Sequence, residues 1–394
     1  MSADTFSDLL AYRDRFPILS RCTYLASHSL GAVPHDTEAA LRQYYEEWAQ
    51  LGITAWDGPW WQAVLDFSSD IERVIGAADG TVVPMLNVTR GLAAVTSCFD
   101  WNRTDRPKIV TTALEFSTTR PFLAGLERLG AELVVVPSED GITIDQAALA
   151  DAIDERTALV VCSNVFFRSA AIMDLKAVAD AAHAKGALLL GDGYQTAGCV
   201  PVDVRALGVD FYVGGCHKWL CGGPGAGYLY VRPELITRLR PRLTGWFGLQ
   251  DPFAYDPGPA GLAPSEGVHR FLAGTPNVPG LYAARAGVRT VLAAGVGRIR
   301  ERSIAMTTRI AADAQARGIE VRSPLEASQR SGMVCLTFEG SQHVTDELVS
   351  RGVVVDWRPD CGLRVSPHFY TSDADLDTFF AVLDDARASV HSAG

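Results

Sequence analysis

No run of apolar residues in this 394-residue sequence is long enough to cross a bilayer, although hydrophobic residues make up 48% of it. No dense run of Lys or Arg occurs either. With 35 basic against 46 acidic residues the formal charge is −11, a field that repels nucleic acid and anionic membrane. No two cysteines stand in a CxxC pair: Cys22, Cys98, Cys162, Cys199, Cys216, Cys221, Cys335 and Cys361 are scattered, several in apolar runs, as buried free thiols are. Neither a disulfide framework nor a metal site is expected. The opening "MSADTFSDLLAYRDRF" lacks the basic start and apolar centre of a secretory signal, so the expected compartment is the cytoplasm. Internal repeats and low-complexity segments are also missing.

What is present is a chain longer than one ordinary core, which predicts a larger and a smaller domain. Between about 81 and 232, short β-branched runs alternate with helical patterns: "TVVPMLN", "KIVTTALEF", "ELVVVPS", "TALVVCSNV", "ALLLGD", "FYVGG" and "AGYLYVR". Such alternation predicts an α/β sheet with helices on both faces. One connecting helix is fully specified: Asp174 caps it, Leu175, Val178, Ala179 and Ala182 form its apolar face, and Gly186 ends it.

Residues 240 to 280 are dense in Pro, Gly, Trp and Phe, and a loop of that length is expected to form a wall of a functional site. A long helix from about 279 to 317 follows, then the strand candidates "IEVRS", "GMVCLTFEG", "VVVDWR" and "GLRVSP". Ser372 and Asp375 make a capping box for a last helix whose stripe is Leu376, Phe379, Phe380 and Leu383. The expected division is an N-terminal segment 1–50, helical from about Asp36 to Leu51, that packs on the small domain or a partner subunit. A large domain 51–285 and a small α+β domain 286–394 complete it.

Lys218, in "FYVGGCHKWLCGGPGAG", directly follows an apolar strand, and the carboxyl ends of such strands border the ligand crevice. A phosphate loop would need its glycines before the lysine and Ser or Thr after it, whereas here Trp219 follows and most glycines come later. A lysine forming a Schiff base with pyridoxal phosphate needs an acid for the ring nitrogen, and Asp192 ends the preceding strand 26 residues upstream. The cofactor phosphate needs amide donors, which the turn and helix start in "PMLNVTRGLAAV" offer at Thr89 and Arg90. His28, His35, His183 and His343 join no constellation, and Trp60 and Trp61 read as core.

Together these residues resemble the fold type I pyridoxal-phosphate enzymes, and within them the class V aminotransferase superfamily near kynureninase. Similarity extends to isopenicillin N epimerase-like and cysteine desulfurase-like enzymes. The resemblance runs from "YLASHSLGAVP" through "SNVFFRSAAIMDLKAVADAAHAKGALLLGDGYQTAG", "GGCHKWLCGGPGAGYLYVRPEL", "TGWFGLQDPFAY" and "RFLAGTPN" to "GLRVSPHFY". It implies a mostly parallel seven-stranded sheet and pyridoxal 5'-phosphate as cofactor. It further implies Lys218 as the covalent anchor, Asp192 on the ring nitrogen, Gln195 near the phenolic oxygen, and Thr89 and Arg90 on the phosphate. Phe116 falls where an aromatic ring covers the pyridine, Asn164 beside the ring, and His217 and Trp246 at the phosphate. Thr275 matches a residue reaching the phosphate of a neighbouring subunit, which implies a homodimer with composite sites. Arg364 matches the arginine that grips the substrate carboxylate, a task its planar fork suits.

Two positions depart from kynureninases: His217 stands where they carry tyrosine and Gln195 where they carry histidine. Both bear on kynurenine hydrolysis itself. Cys361, three residues before Arg364, is the one candidate for a desulfurase nucleophile and reads better as a buried thiol. The expected function is cleavage at the β-carbon of an α-amino acid, by kynureninase-like hydrolysis or by β-elimination at sulfur. The alternative is a class V aminotransferase or decarboxylating oxidative deaminase. A catalytically silent binding protein is the remaining class, against which the set Lys218, Asp192 and Arg364 speaks.

Overall fold

The computed structural model describes residues 3–254 and 263–392; positions 255–262 of the aromatic loop lie outside the described residues. After a two-residue strand, β1 (Thr23–Tyr24), the seven expected runs all form strands: β2 (Val82–Met85), β3 (Lys108–Thr112), β4 (Glu132–Val136), β5 (Thr157–Ser163), β6 (Leu188–Asp192), β7 (Phe211–Gly215) and β8 (Gly227–Val231). They make one sheet in the order β2-β8-β7-β6-β5-β3-β4. Only β8 is antiparallel to its neighbours, so the sheet is mostly parallel.

The sheet is buried on both faces, which is why its strands are continuous apolar runs. Side chains alternate between two cores: Leu159 and Val161 join one, Val160 and Cys162 the other. Helix Leu175–Ala184 covers one face with Leu175, Val178, Ala179 and Ala182, capped by Asp174 at the Ala177 amide. Helix Val88–Thr96 covers the opposite face with Leu92 and Val95.

Five short strands follow: β9 (Glu320–Val321), β10 (Val334–Thr337), β11 (Val353–Val354), β12 (Asp356–Arg358) and β13 (Gly362–Val365). Four make an antiparallel sheet in the order β12-β13-β10-β9, and β11 pairs instead with β1. Helices Val296–Ala316 and Asp373–Ser392 pack on this unit through Met306, Ile310, Leu376, Phe379 and Leu383. The capping box forms as expected, with Ser372 Oγ accepting from the Asp375 amide and Asp375 accepting from the Ser372 amide.

The long helix expected over 279–317 is two helices, Val278–Ala294 and Val296–Ala316, broken at Gly295. Gly295 takes φ +82°, a region that side-chain-bearing residues avoid. The first of the pair packs against helices Asp36–Leu51 and Pro59–Ile75, so a boundary drawn between 285 and 286 falls inside an element of the larger unit. The N-terminal segment divides likewise: β1 joins the small unit, while helix Asp36–Leu51 lies on the large one. No helix among the described residues is long and apolar enough to cross a membrane. Phe379 is fully buried in the small core, so Phe379→Ala is expected to cost about 3–5 kcal/mol. A lowered urea midpoint measures that loss.

Candidate active site

β6 and β7 run parallel and end side by side, with Asp192 paired to Val213 in register. The chain leaves β7 at Gly215 and reaches Lys218 three residues later, so a carboxylate and an amine arrive at neighbouring strand ends. Both border a cavity of ≈ 180 Å³ together with Asn87, Thr89, Phe116 and Tyr194. A second cavity of ≈ 440 Å³ shares Phe116, Phe167, Gln195, His217 and Lys218 with the first and adds Arg168, Arg358 and Arg364.

The chain has four lysines. Lys108, Lys176 and Lys185 each pair with a carboxylate, whereas Lys218 among the described residues does not. It is 9% exposed, and its Nζ lies 4.7 Å from the ring centroid of Tyr194 and 5.3 Å from that of Phe116. Burial pulls its ammonium down to about 8, against the opposing pull of Asp192. Asp192 is buried as well. Its Oδ1 accepts from the Tyr194 amide at 2.8 Å, and its Oδ2 meets no partner among the described residues. Burial pushes this carboxyl up to about 6, with the Tyr194 amide and Lys218 holding it down.

Helix Val88–Thr96 points its start at the same cavity. Asn87 caps it by accepting from the Arg90 amide at 3.0 Å, which removes Arg90 from the donors expected there. The amides of Val88 and Thr89 are the ones left without an acceptor among the described residues. Arg90 itself borders a separate depression of ≈ 270 Å³ with Thr275.

The remaining expected residues divide by position. Phe116, 44% exposed and edge-on to Phe167 at 5.1 Å, is a cavity wall rather than core. Gln195 borders both cavities, but its amide is engaged: Nε2 donates to His28 O and Oε1 accepts from Trp219 Nε1. Asn164 is not in the cavity with Lys218. It follows β5 on the face of Val160 and Cys162, accepts from Tyr212 Oη at 3.0 Å, donates to Met173 O, and borders a cavity on that other face. Trp246 packs with Phe247 and Phe253 and lines neither cavity at Lys218, nor does any other described residue of the 240–280 loop.

Arg364 borders the larger cavity with Lys218, and its guanidinium is partly committed. Nε and Nη2 donate to the two oxygens of Asp356 at 2.8 and 2.6 Å, and Nη1 donates to Phe167 O at 3.0 Å. Of five N–H groups, three are thus engaged and two, one on each terminal nitrogen, have no protein partner among the described residues. His28, fully buried, holds Asp356 from the other side through Nε2 at 2.9 Å. Burial works to raise the Asp356 carboxyl, yet His28 and Arg364 together hold it well below the usual range. His28 and Asp356 were not singled out by motif; the turn "RPDCG" between two short strands is the signal that sets Asp356 opposite Arg364 in register. Cys361 is 1% exposed, and burial raises its thiol above the usual value.

Tyr194 and Glu115 also escaped sequence reasoning. Glu115 is buried, accepts from Ser163 and Thr112, and is pushed up to about 7 by burial. The donors and charges suit pyridoxal phosphate: an unpaired buried amine, an acid with a free oxygen, and two free amides at a helix start.

The aminotransferase class-V family profile matches residues 23–379. An uncharacterized aminotransferase of Bacillus subtilis (strain 168) is 30% identical over 96% of this chain and 98% of its own. The kynureninase of Pseudomonas fluorescens is 28% identical over 91% and 87%. Among solved structures, a cysteine desulfurase from Thermococcus onnurineus NA1 superposes with TM-score 0.84 at 22% identity, covering 95% of this chain and 97% of its own. The cystine C–S lyase C-DES superposes with TM-score 0.82 at 20% identity, over 94% and 99%. With its fold type I architecture and a match over most of its length, the chain belongs to the aminotransferase class-V family.

Proposed function

We propose that the protein acts on an α-amino acid and breaks a bond at its β-carbon, by kynureninase-like C–C hydrolysis or by β-elimination at sulfur. It is a pyridoxal 5'-phosphate enzyme, and the bound cofactor supplies an electron sink at the substrate α-carbon. The observation that carries the reading is the placement of Lys218 and Arg364 on one cavity, with Asp192 on the cavity that Lys218 also borders.

With its pKa near 8, Lys218 is neutral in about one molecule in ten at pH 7, a fraction suited to taking and returning a proton. Asp192 is ionised at that pH and its free oxygen suits a protonated ring nitrogen. The two N–H groups left on Arg364 suit the α-carboxylate, and Asp356, itself held by His28, fixes the guanidinium. Phe116, Phe167 and Arg168 border the ≈ 440 Å³ compartment, room for a sizeable side chain.

Sulfur transfer to protein is disfavoured by Cys361, whose thiol is buried and raised. The second reading, amine transfer or decarboxylating deamination, is supported by the name carried by the 30% identical relative. A homodimer is supported by the exposed apolar side chains Leu41, Tyr45, Trp48 and Ile53 on and after helix Asp36–Leu51, and a reducing cytoplasmic setting by eight free cysteines.

Mass-spectrometric product screening with kynurenine, S-alkyl cysteine conjugates and common amino acids is expected to give products cleaved at the β-carbon; keto acids alone would favour the second reading. Lys218→Ala is expected to abolish turnover. Covalent attachment of added cofactor to apo-protein needs the neutral amine, so its rate is expected to rise with pH up to about 8 and level off above; a rate flat from pH 6 to about 9 contradicts the depressed amine. Arg364→Gln is expected to raise KM by about tenfold or more, the scale of a lost charged hydrogen-bond pair, while the cofactor stays bound.

A further inference from the structure

Tyr194 enters the cavity from the turn after β6, two residues beyond Asp192. Its Oη lies 2.7 Å from His217 Nδ1, with ring centroids 5.0 Å apart. Gly215, at the end of β7, makes room for it: a Cβ there would stand 2.2 Å from the phenolic oxygen. The pair is therefore built into the junction of two strands.

Tyr194 Oη and His217 Nδ1 have no other side-chain partner among the described residues, so the direction of their hydrogen bond decides which hydrogen is left for a ligand. With Nδ1 donating it is the phenolic hydrogen; with the phenol donating it is the imidazole hydrogen on Nε2, on the residue that borders both cavities. Burial raises the phenol, while burial and Lys218 pull the imidazolium down to about 4, so both groups are neutral near pH 7. His217 Nε2 has no protein partner among the described residues, and the residue borders both cavities. The charged groups around it are Lys218, Asp192, Arg168, Arg358 and Arg364, with the Cys216 thiol beside Tyr194.

We infer that Tyr194 is a positioning residue: it holds His217 as the Nε2–H tautomer, so that a neutral imidazole donates a hydrogen bond to a phosphate monoester at the start of helix Val88–Thr96. The inference rests on reading that helix start as the phosphate site. Its consequence is a phosphate contact that adds no second positive charge beside Lys218 and does not vary with pH through the ordinary histidine range.

Tyr194→Phe keeps the ring and removes the donor. Dissociation constants for pyridoxal 5'-phosphate and for phosphate-free pyridoxal are measured on the full-length protein between about pH 5.5 and 8, a span that brackets the ordinary histidine pKa. Histidine ¹⁵N spectra, assigned with His217→Gln, report the tautomer in the apo-protein. The expected result is an Nε2–H tautomer in the wild type and a ratio of wild-type to Tyr194→Phe pyridoxal-phosphate affinity that stays flat with pH, since the titrations of Lys218 and of the phosphate are common to both proteins and cancel. In Tyr194→Phe, affinity for pyridoxal phosphate falls about fivefold relative to the wild type, the scale of one neutral hydrogen bond, and the loss persists across the pH range because burial and Lys218 still hold His217 neutral, with pyridoxal affinity unchanged. Unchanged phosphate-ester affinity, an equal loss for pyridoxal, or an Nδ1–H tautomer in the wild type each overturn the inference. A wild type that binds pyridoxal as tightly as its phosphate ester overturns the phosphate site too, and the tautomer reading separates the two failures.

Discussion

The site depends on one costly arrangement: an amine and a carboxylate held out of water at adjoining strand ends without being allowed to pair. Paired, Lys218 and Asp192 would be an ordinary buried salt bridge and neither would serve a ligand. Kept apart, each is left with an unmet electrostatic demand, which is why the amine is drawn down and the acid pushed up. The parallel pairing of β6 and β7 enforces the separation, and the Tyr194 ring lies beneath Nζ as a neutral neighbour. Buried β-strands on both faces supply the rigidity that such an arrangement needs.

A second constraint acts on Arg364. A buried guanidinium bordering a cavity would be costly alone, and Asp356 relieves it while two of its N–H groups stay without a protein partner among the described residues. His28, neutral because burial pulls it down to about 4, completes the chain without adding charge. This network joins β12, β13 and the segment after β1, so Arg364 belongs to the small unit and Lys218 to the large one.

The seven sheet strands were legible because burial on both faces makes each a short apolar run bounded by turns. Lys218, Asp192 and the helix start were legible because each stands at the end of such a run. What was not legible depended on contacts distant in sequence. β1 has two residues and pairs only with β11, and the break at Gly295 is a single conformational choice within an otherwise helical pattern. Asn164 was expected at the ring, but strand alternation turns it to the other face, and the Arg90 amide is taken up by the Asn87 cap. Tyr194 and Glu115 carry no motif: a tyrosine or glutamate near a strand end is unremarkable until its neighbours are known. The class of chemistry was thus readable from strand ends, whereas the tuning of each group was not.

The most direct measurement is borohydride reduction of the protein as purified with its cofactor, followed by peptide mass spectrometry. With four lysines in the chain, the assignment is unambiguous. The account predicts a pyridoxyl adduct on the peptide containing Lys218 and on no other. An adduct on Lys108, Lys176 or Lys185 instead, or no adduct at all, would contradict it.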